Sequence, residues 1–87
     1  MTHHHQEIVK RMKTIEGHLR KVREMVEEDA YCVDVIHQSS AVQQALRKVD
    51  ELLLDHHLRT CVAKHMKAGE TDRATKEILS VFKQQSR

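Results

Sequence analysis

From Tyr31 to Ala68 the chain contains neither proline nor glycine, and the first breaker is Gly69. So long a stretch without a turn signal reads as one helix, because a structureless segment of that length inside a small domain is rare. Its apolar positions include Val35, Ile36, Val42, Ala45, Leu46, Val49, Leu52, Leu53 and Val62, which keep helical rather than alternating spacing. The remainder agrees. There is no proline anywhere, glycine occurs only at positions 17 and 69, aromatic residues are nearly absent, and mostly good helix formers fill the chain. The predicted fold is all-α, with three helices and a very long central one.

The flanking helices are shorter. Ile8, Met12, Ile15, Leu19, Val22 and Val26 recur at alternating four- and three-residue steps, which predicts a helix from about Gln6 to Val26 with one sustained apolar seam. Glu27, Glu28 and Asp29 interrupt the pattern. Their acids suit the N-terminus of the long helix, with Asp29 as its N-cap and a start near Tyr31. Beyond Gly69, Thr71 or Asp72 is expected to cap a short third helix that buries Ala74, Ile78, Val81 and Phe82. No repeat or linker divides the chain, so residues 1–87 read as a single domain.

Length then constrains assembly. Roughly 35 residues of helix at about 1.5 Å each span about 50 Å, whereas the first helix covers about 30 Å. One protomer cannot cover the long helix. The surplus apolar surface is expected to meet the same surface of a second copy, giving an antiparallel four-helix dimer core. A chain of 87 residues also buries too little surface to be more than marginally stable alone.

Composition narrows function less. Fifteen bases against thirteen acids give a net charge of +2, too little to announce a nucleic-acid binder without local clustering. No apolar run is long enough for a membrane span, and no secretory segment is visible, so a cytoplasmic location is expected. In such a reducing compartment Cys32 and Cys61 are buried hydrophobes or chemically employed thiols rather than a structural disulfide.

His57 and Cys61 are four residues apart, so on a helix they share a face about 6 Å apart and can chelate one metal ion. That pair alone is unspecific, and a packed cysteine beside a solvated histidine explains it equally well. Cys32 shifts the balance. It lies 25 positions before His57 on the same predicted helix, which places the two about 37 Å apart in one straight protomer. In an antiparallel dimer the start of one long helix lies beside the end of its partner, which brings Cys32 of one subunit toward His57 and Cys61 of the other. Symmetry then yields two identical sites.

Two thiolates and one imidazole form a soft, low-coordinate set that favours Cu(I), whereas Zn(II) ordinarily takes a fourth ligand and hard cations take oxygens. A fourth ligand is available. His65 lies one turn beyond Cys61, and the His3, His4, His5 run can fold back, which leaves Ni(II), Co(II) or Zn(II) open. The plainer reading makes His65 a solvated surface residue and the histidine run an expression-tag remnant or adventitious chelator. His18, His37 and His56 read as ordinary surface or interface residues. Basic clusters stand at Lys10, Arg11, Lys13 and at Arg20, Lys21, Arg23 on the first helix, with Arg47 and Lys48 on the second. Helical charge of this kind usually solvates an exposed face.

The segments RMKTIEGHLR from Arg11 to beyond Gly17, EEDAYCVDVIHQSSAVQ around Cys32, and LLLDHHLRTC ending at Cys61 closely resemble the copper-sensing operon repressor family, CsoR. The similarity continues to about Phe82. It implies a tetramer assembled from two dimers, a dimer of dimers without a helix-turn-helix. Such a protein represses copper export genes until Cu(I) binds at Cys32, His57 and Cys61, and operator DNA is its partner. The resemblance also matches Tyr31 and Glu77 to residues that hydrogen-bond the free ring nitrogen of the ligating histidine and so couple coordination to helix position. Without it, Tyr31 is an interfacial tyrosine and Glu77 a solvated helix acid. Arg11 matches a base used for operator binding. Lys48 stands where the family uses an arginine, which keeps the charge but loses the bidentate fork needed for base-specific contact, so phosphate contact is expected there.

Competing readings are a nickel- or cobalt-responsive relative and a persulfide sensor bridging Cys32 and Cys61, against which His57 argues. From other classes come a thiol-dependent enzyme, a copper carrier and a structural helical oligomerisation module. The enzyme lacks a base or oxyanion arrangement beyond the Cys/His set, and the carrier lacks an exposed paired-cysteine loop. The module would not need Cys32, His57 and Cys61 together.

Overall fold

The computed structural model describes residues 3–85. Among them every regular element is helical: α1 (His3–Glu27), α2 (Cys32–His57), a π-helical segment (Leu58–Val62), α3 (Ala63–Lys67) and α4 (Thr71–Gln85). The three helical arms match the expected fold, because α2, the π segment and α3 follow one another without a break and form the long central helix up to the turn at Gly69. The chain divides into two compact units, Met1–Leu53 and Leu54–Arg87.

The first unit is held by heptad-spaced aliphatic residues. Ile8, Ile15 and Val22 of α1 pack with Val42 and Val49 of α2, and Val35, Ala45 and Leu52 close around them. Each such side chain contributes about 1.5–3 kcal/mol by leaving water. Only alternate members of the expected α1 seam are inside. Met12, Leu19 and Val26 are 44%, 55% and 58% exposed, because a single facing helix covers one line of the stripe and leaves the other bare.

α1 and α3 end in the same device. The Ala30 amide bonds to the Met25 carbonyl at 2.9 Å and that of Asp29 to Val26 at 3.1 Å, with Asp29 left-handed at φ 57°. At the second turn Glu70 bonds to His65 at 2.8 Å and Gly69 to Met66 at 3.1 Å, with Gly69 at φ 83°. Both are Schellman closures, which satisfy the last carbonyls of a helix by turning one residue left-handed. Asp29 is therefore not the N-cap of α2 but the residue that closes α1; the short polar side chain tolerates this conformation better than most. Tyr31 occupies the cap position of α2, its carbonyl accepting from the Val35 amide at 3.2 Å. Likewise α4 is started by Glu70, whose carbonyl accepts from Ala74 at 3.1 Å, and not by Thr71 or Asp72, which already lie in its first turn.

The buried side of α4 is also narrower than expected. Ala74 is fully buried and Ile78 half-buried, while Val81 and Phe82 are exposed. Among the described residues no helix is long and apolar enough to cross a membrane.

Candidate metal centre

The three expected donors sit at irregularities of the long helix. Cys32 is the first residue of α2 and His57 its last, while Cys61 belongs to the π segment. Both cysteines are free thiols and exposed. The π segment carries one more residue per turn than an α-helix, a distortion that recurs at functional sites. Here it begins immediately after His57 and includes Cys61, so it sets the angle between the two. Thr60 sits within it, its hydroxyl donating to the His56 carbonyl at 2.7 Å and lying 3.6 Å from the Cys61 Sγ.

Glu77 of α4 meets His57, with 3.1 Å between Oε2 and the ring Nε2, and both side chains are a little over one-third exposed. A carboxylate only accepts, so the proton of this bond resides on Nε2 and the lone pair of the neutral ring is left on Nδ1. A histidine donating one nitrogen to a carboxylate while the other faces a metal is the usual arrangement of a ligating imidazole. Tyr31 stands at the other end of α2, and its side chain is 70% exposed.

Two thiols able to ionise and one oriented imidazole suit a soft, low-coordinate cation. Among the described residues no three His, Cys, Asp or Glu side chains of one chain gather into a metal-holding group, and Cys32 and His57 terminate opposite ends of the same helix. The chemistry of these donors fits Cu(I), but the described residues of one chain do not bring all three together.

His65 departs from the solvated surface residue expected of it. Its side chain is 24% exposed, Nε2 lies 4.0 Å from Oε2 of Glu70, and Nδ1 is buried without a hydrogen-bond partner. Of the histidine run, the side chains of His3 and His4 lie outside the described residues, and His5 is exposed. His18 is half-buried on α1, its Nε2 2.8 Å from Gln38 Oε1 on α2.

The basic residues stand on α1 and α2. Arg11 pairs with Glu7 at 3.3 Å and Lys48 with Glu51 at 3.4 Å, and all four side chains are exposed. Lys13 and Arg47 are exposed as well. Sequence reasoning missed Arg73, which lies 3.7 Å from both Glu70 and Glu77. Its only trace in the sequence is the three- and four-residue spacing to those acids on one helix.

An all-helical chain with soft-metal donors on its long helix and exposed bases along its arms has the make-up of a metal-responsive regulator. The chain belongs to the metal-sensitive transcriptional repressor family, whose model matches residues 4–84. It is 47% identical over 77 residues to the copper-sensing transcriptional repressor CsoR of Bacillus subtilis, a match covering 88% of this chain and 76% of that one. The copper-sensing repressor CsoR with Cu(I) from Geobacillus thermodenitrificans superposes with a TM-score of 0.90 at 41% identity, covering 100% of this chain and 92% of that one. The nickel-responsive transcriptional regulator InrS superposes with a TM-score of 0.75 at 34% identity, covering 91% and 89%. The family consists of transcriptional repressors and not enzymes.

Proposed function

We propose that this chain is a Cu(I)-responsive transcriptional repressor of the cytoplasm. It binds operator DNA when metal-free and releases it on Cu(I) binding, which derepresses copper export or resistance genes. The observation that carries the reading is the donor set itself: Cys32, His57 and Cys61 are all present, and the His57 ring is already oriented by Glu77. The resemblance to CsoR proteins, one of them solved with Cu(I), points the same way.

Residues 1–87 act as one repressor domain that works as an antiparallel dimer and, through two dimers, a tetramer. Cys32 of one protomer completes the site of the other. The bare apolar line of Met12, Leu19 and Val26, together with exposed Ile36, Leu46 and Leu53, is what a subunit interface would bury. Cu(I), when bound, draws two thiolates and an imidazole onto one centre. Glu77 holds the Nε2 proton of His57, so displacement of the ring is felt by α4, and Tyr31, carried to the site with Cys32 of the other protomer, is the second residue that senses the same ring. Such coupling is required, since a ligand held equally well in both conformations shifts nothing.

Arg11, Lys13, Arg47 and Lys48 contact the DNA backbone. Arg11 and Lys48 pair with the exposed helix neighbours Glu7 and Glu51, and such pairs contribute little and exchange readily for phosphate. Arg11→Ala and Lys48→Ala should weaken operator binding and flatten its salt dependence while Cu(I) affinity stays unchanged.

The deciding experiment is anaerobic titration of the protein with Cu(I), Ni(II) and Zn(II) while operator binding is followed. Release by Cu(I) alone is expected. Release by Ni(II) in preference to Cu(I) would overturn the copper reading in favour of a nickel- or cobalt-responsive repressor, for which His65 is the added donor and the likeness to InrS the supporting observation.

A further inference from the structure

Within the unit Leu54–Arg87, a chain of polar contacts runs from His57 to His65. Glu77 turns Oε2 to Nε2 of His57 at 3.1 Å and Oε1 to Nε of Arg73 at 3.7 Å. The same guanidinium reaches back to Oε2 of Glu70 at 3.7 Å, and that oxygen lies 4.0 Å from Nε2 of His65. Glu70 just before α4 and Glu77 within it thus each face a histidine of the preceding helical run, and Arg73 stands between them.

We propose that Arg73 is a positioning residue of the metal centre. By engaging the outer oxygen of Glu77 it keeps the inner oxygen on Nε2 of His57, fixes the proton there and presents Nδ1 as the donor. This rests on the reading of His57 as a ligand. A glutamate on a partly exposed helix face has several rotamers open to it, and one hydrogen bond must hold it against that freedom. Arg73 removes part of the freedom, because its planar fork meets one acid three residues before it and another four residues after it on a single helix face. Glu70 in turn restrains Arg73. Pairs this exposed add little to stability, so their consequence is orientation rather than folding. Lysine would supply a point charge without the fork and should restore the effect only in part.

The test begins on metal-free, 15N-labelled protein. The imidazole Nε2–H of His57 should be visible as a slowly exchanging signal, and Arg73→Met should speed its exchange about tenfold or more, with Arg73→Lys intermediate and the helical circular dichroism unchanged. Arg73→Met should also lower Cu(I) affinity, and the copper-driven loss of operator affinity, by about tenfold, at the lower end of what outer residues of metal sites contribute. An exchange rate at His57 Nε2 that is the same in Arg73→Met as in the wild type overturns the proposal. His57→Ala serves as the separate control. If it binds Cu(I) and releases DNA as the wild type does, the ligand reading beneath the proposal is overturned, whatever the exchange rates show.

Discussion

The two units of this chain close their helices with the same hydrogen-bonded turn and otherwise rely on different physics. Met1–Leu53 is held by aliphatic side chains at heptad spacing, Ile8, Ile15 and Val22 against Val42 and Val49. Among the described residues of Leu54–Arg87 the fully buried hydrophobic residue is the small Ala74, and the contacts that stand out are polar, from His57 through Glu77 and Arg73 to Glu70. Apolar burial is strong and indifferent to small changes of angle, which suits a scaffold. Exposed charge pairs are weak and angle-dependent, which suits a segment expected to change when a ligand arrives. The π segment lies in the second unit as well.

The largest expected effect tests the chemical side of this contrast. Cys61→Ala should lower Cu(I) affinity by more than the roughly 100-fold that loss of an outer residue can cause, because it removes a thiolate donor. Being exposed, the residue should leave the thermal stability of the metal-free protein nearly unchanged. Competition with a Cu(I) chelator and a melting curve check both halves.

Next comes the scaffold. Ile15→Ala, in the middle of the buried line of α1, should destabilise the protein by about 3 kcal/mol through lost burial and the cavity left behind. Urea unfolding at fixed protein concentration measures it, since association with a second copy contributes to apparent stability. A loss below about 1 kcal/mol would mean that the aliphatic seam is not what holds the first unit.

The two turns allow a finer comparison. Gly69→Ala places a Cβ on a backbone at φ 83° with no atom within 4 Å of it, so its cost is backbone strain of about 1–2 kcal/mol, offset by the roughly 0.4–1 kcal/mol by which alanine restricts the unfolded chain. Asp29→Gly is the converse change at φ 57°. It relieves the strain of a non-glycine residue but adds freedom to the unfolded chain, so a gain of roughly 0.5 kcal/mol is expected. Equal and opposite shifts of melting temperature in the two variants would show that the aspartate gains nothing from its short polar side chain.

What the sequence determined by itself is the helical content, the unbroken run between Tyr31 and Gly69, the turn at Gly69 and the one-turn spacing of His57 and Cys61. These depend on local propensity and periodicity, which residue types carry directly. The resemblance of motifs, rather than any periodicity, picked out Glu77, and the structure places it 3.1 Å from His57. Other features were decided only in three dimensions. Met12 and Ile15 are equally apolar, yet which line of the α1 stripe is buried depends on where α2 runs. Asp29 reads as an N-cap because the side chain suits one, but its backbone closes the preceding helix instead, since the two turn hydrogen bonds to Val26 and Met25 outweigh a single cap. The π segment leaves no mark in composition, because a shift of backbone hydrogen bonds by one residue involves groups that every residue carries alike. Arg73 looked like one base among many until the fold set Glu77 between it and His57, and that contact joins residues twenty positions apart, beyond the reach of any local pattern.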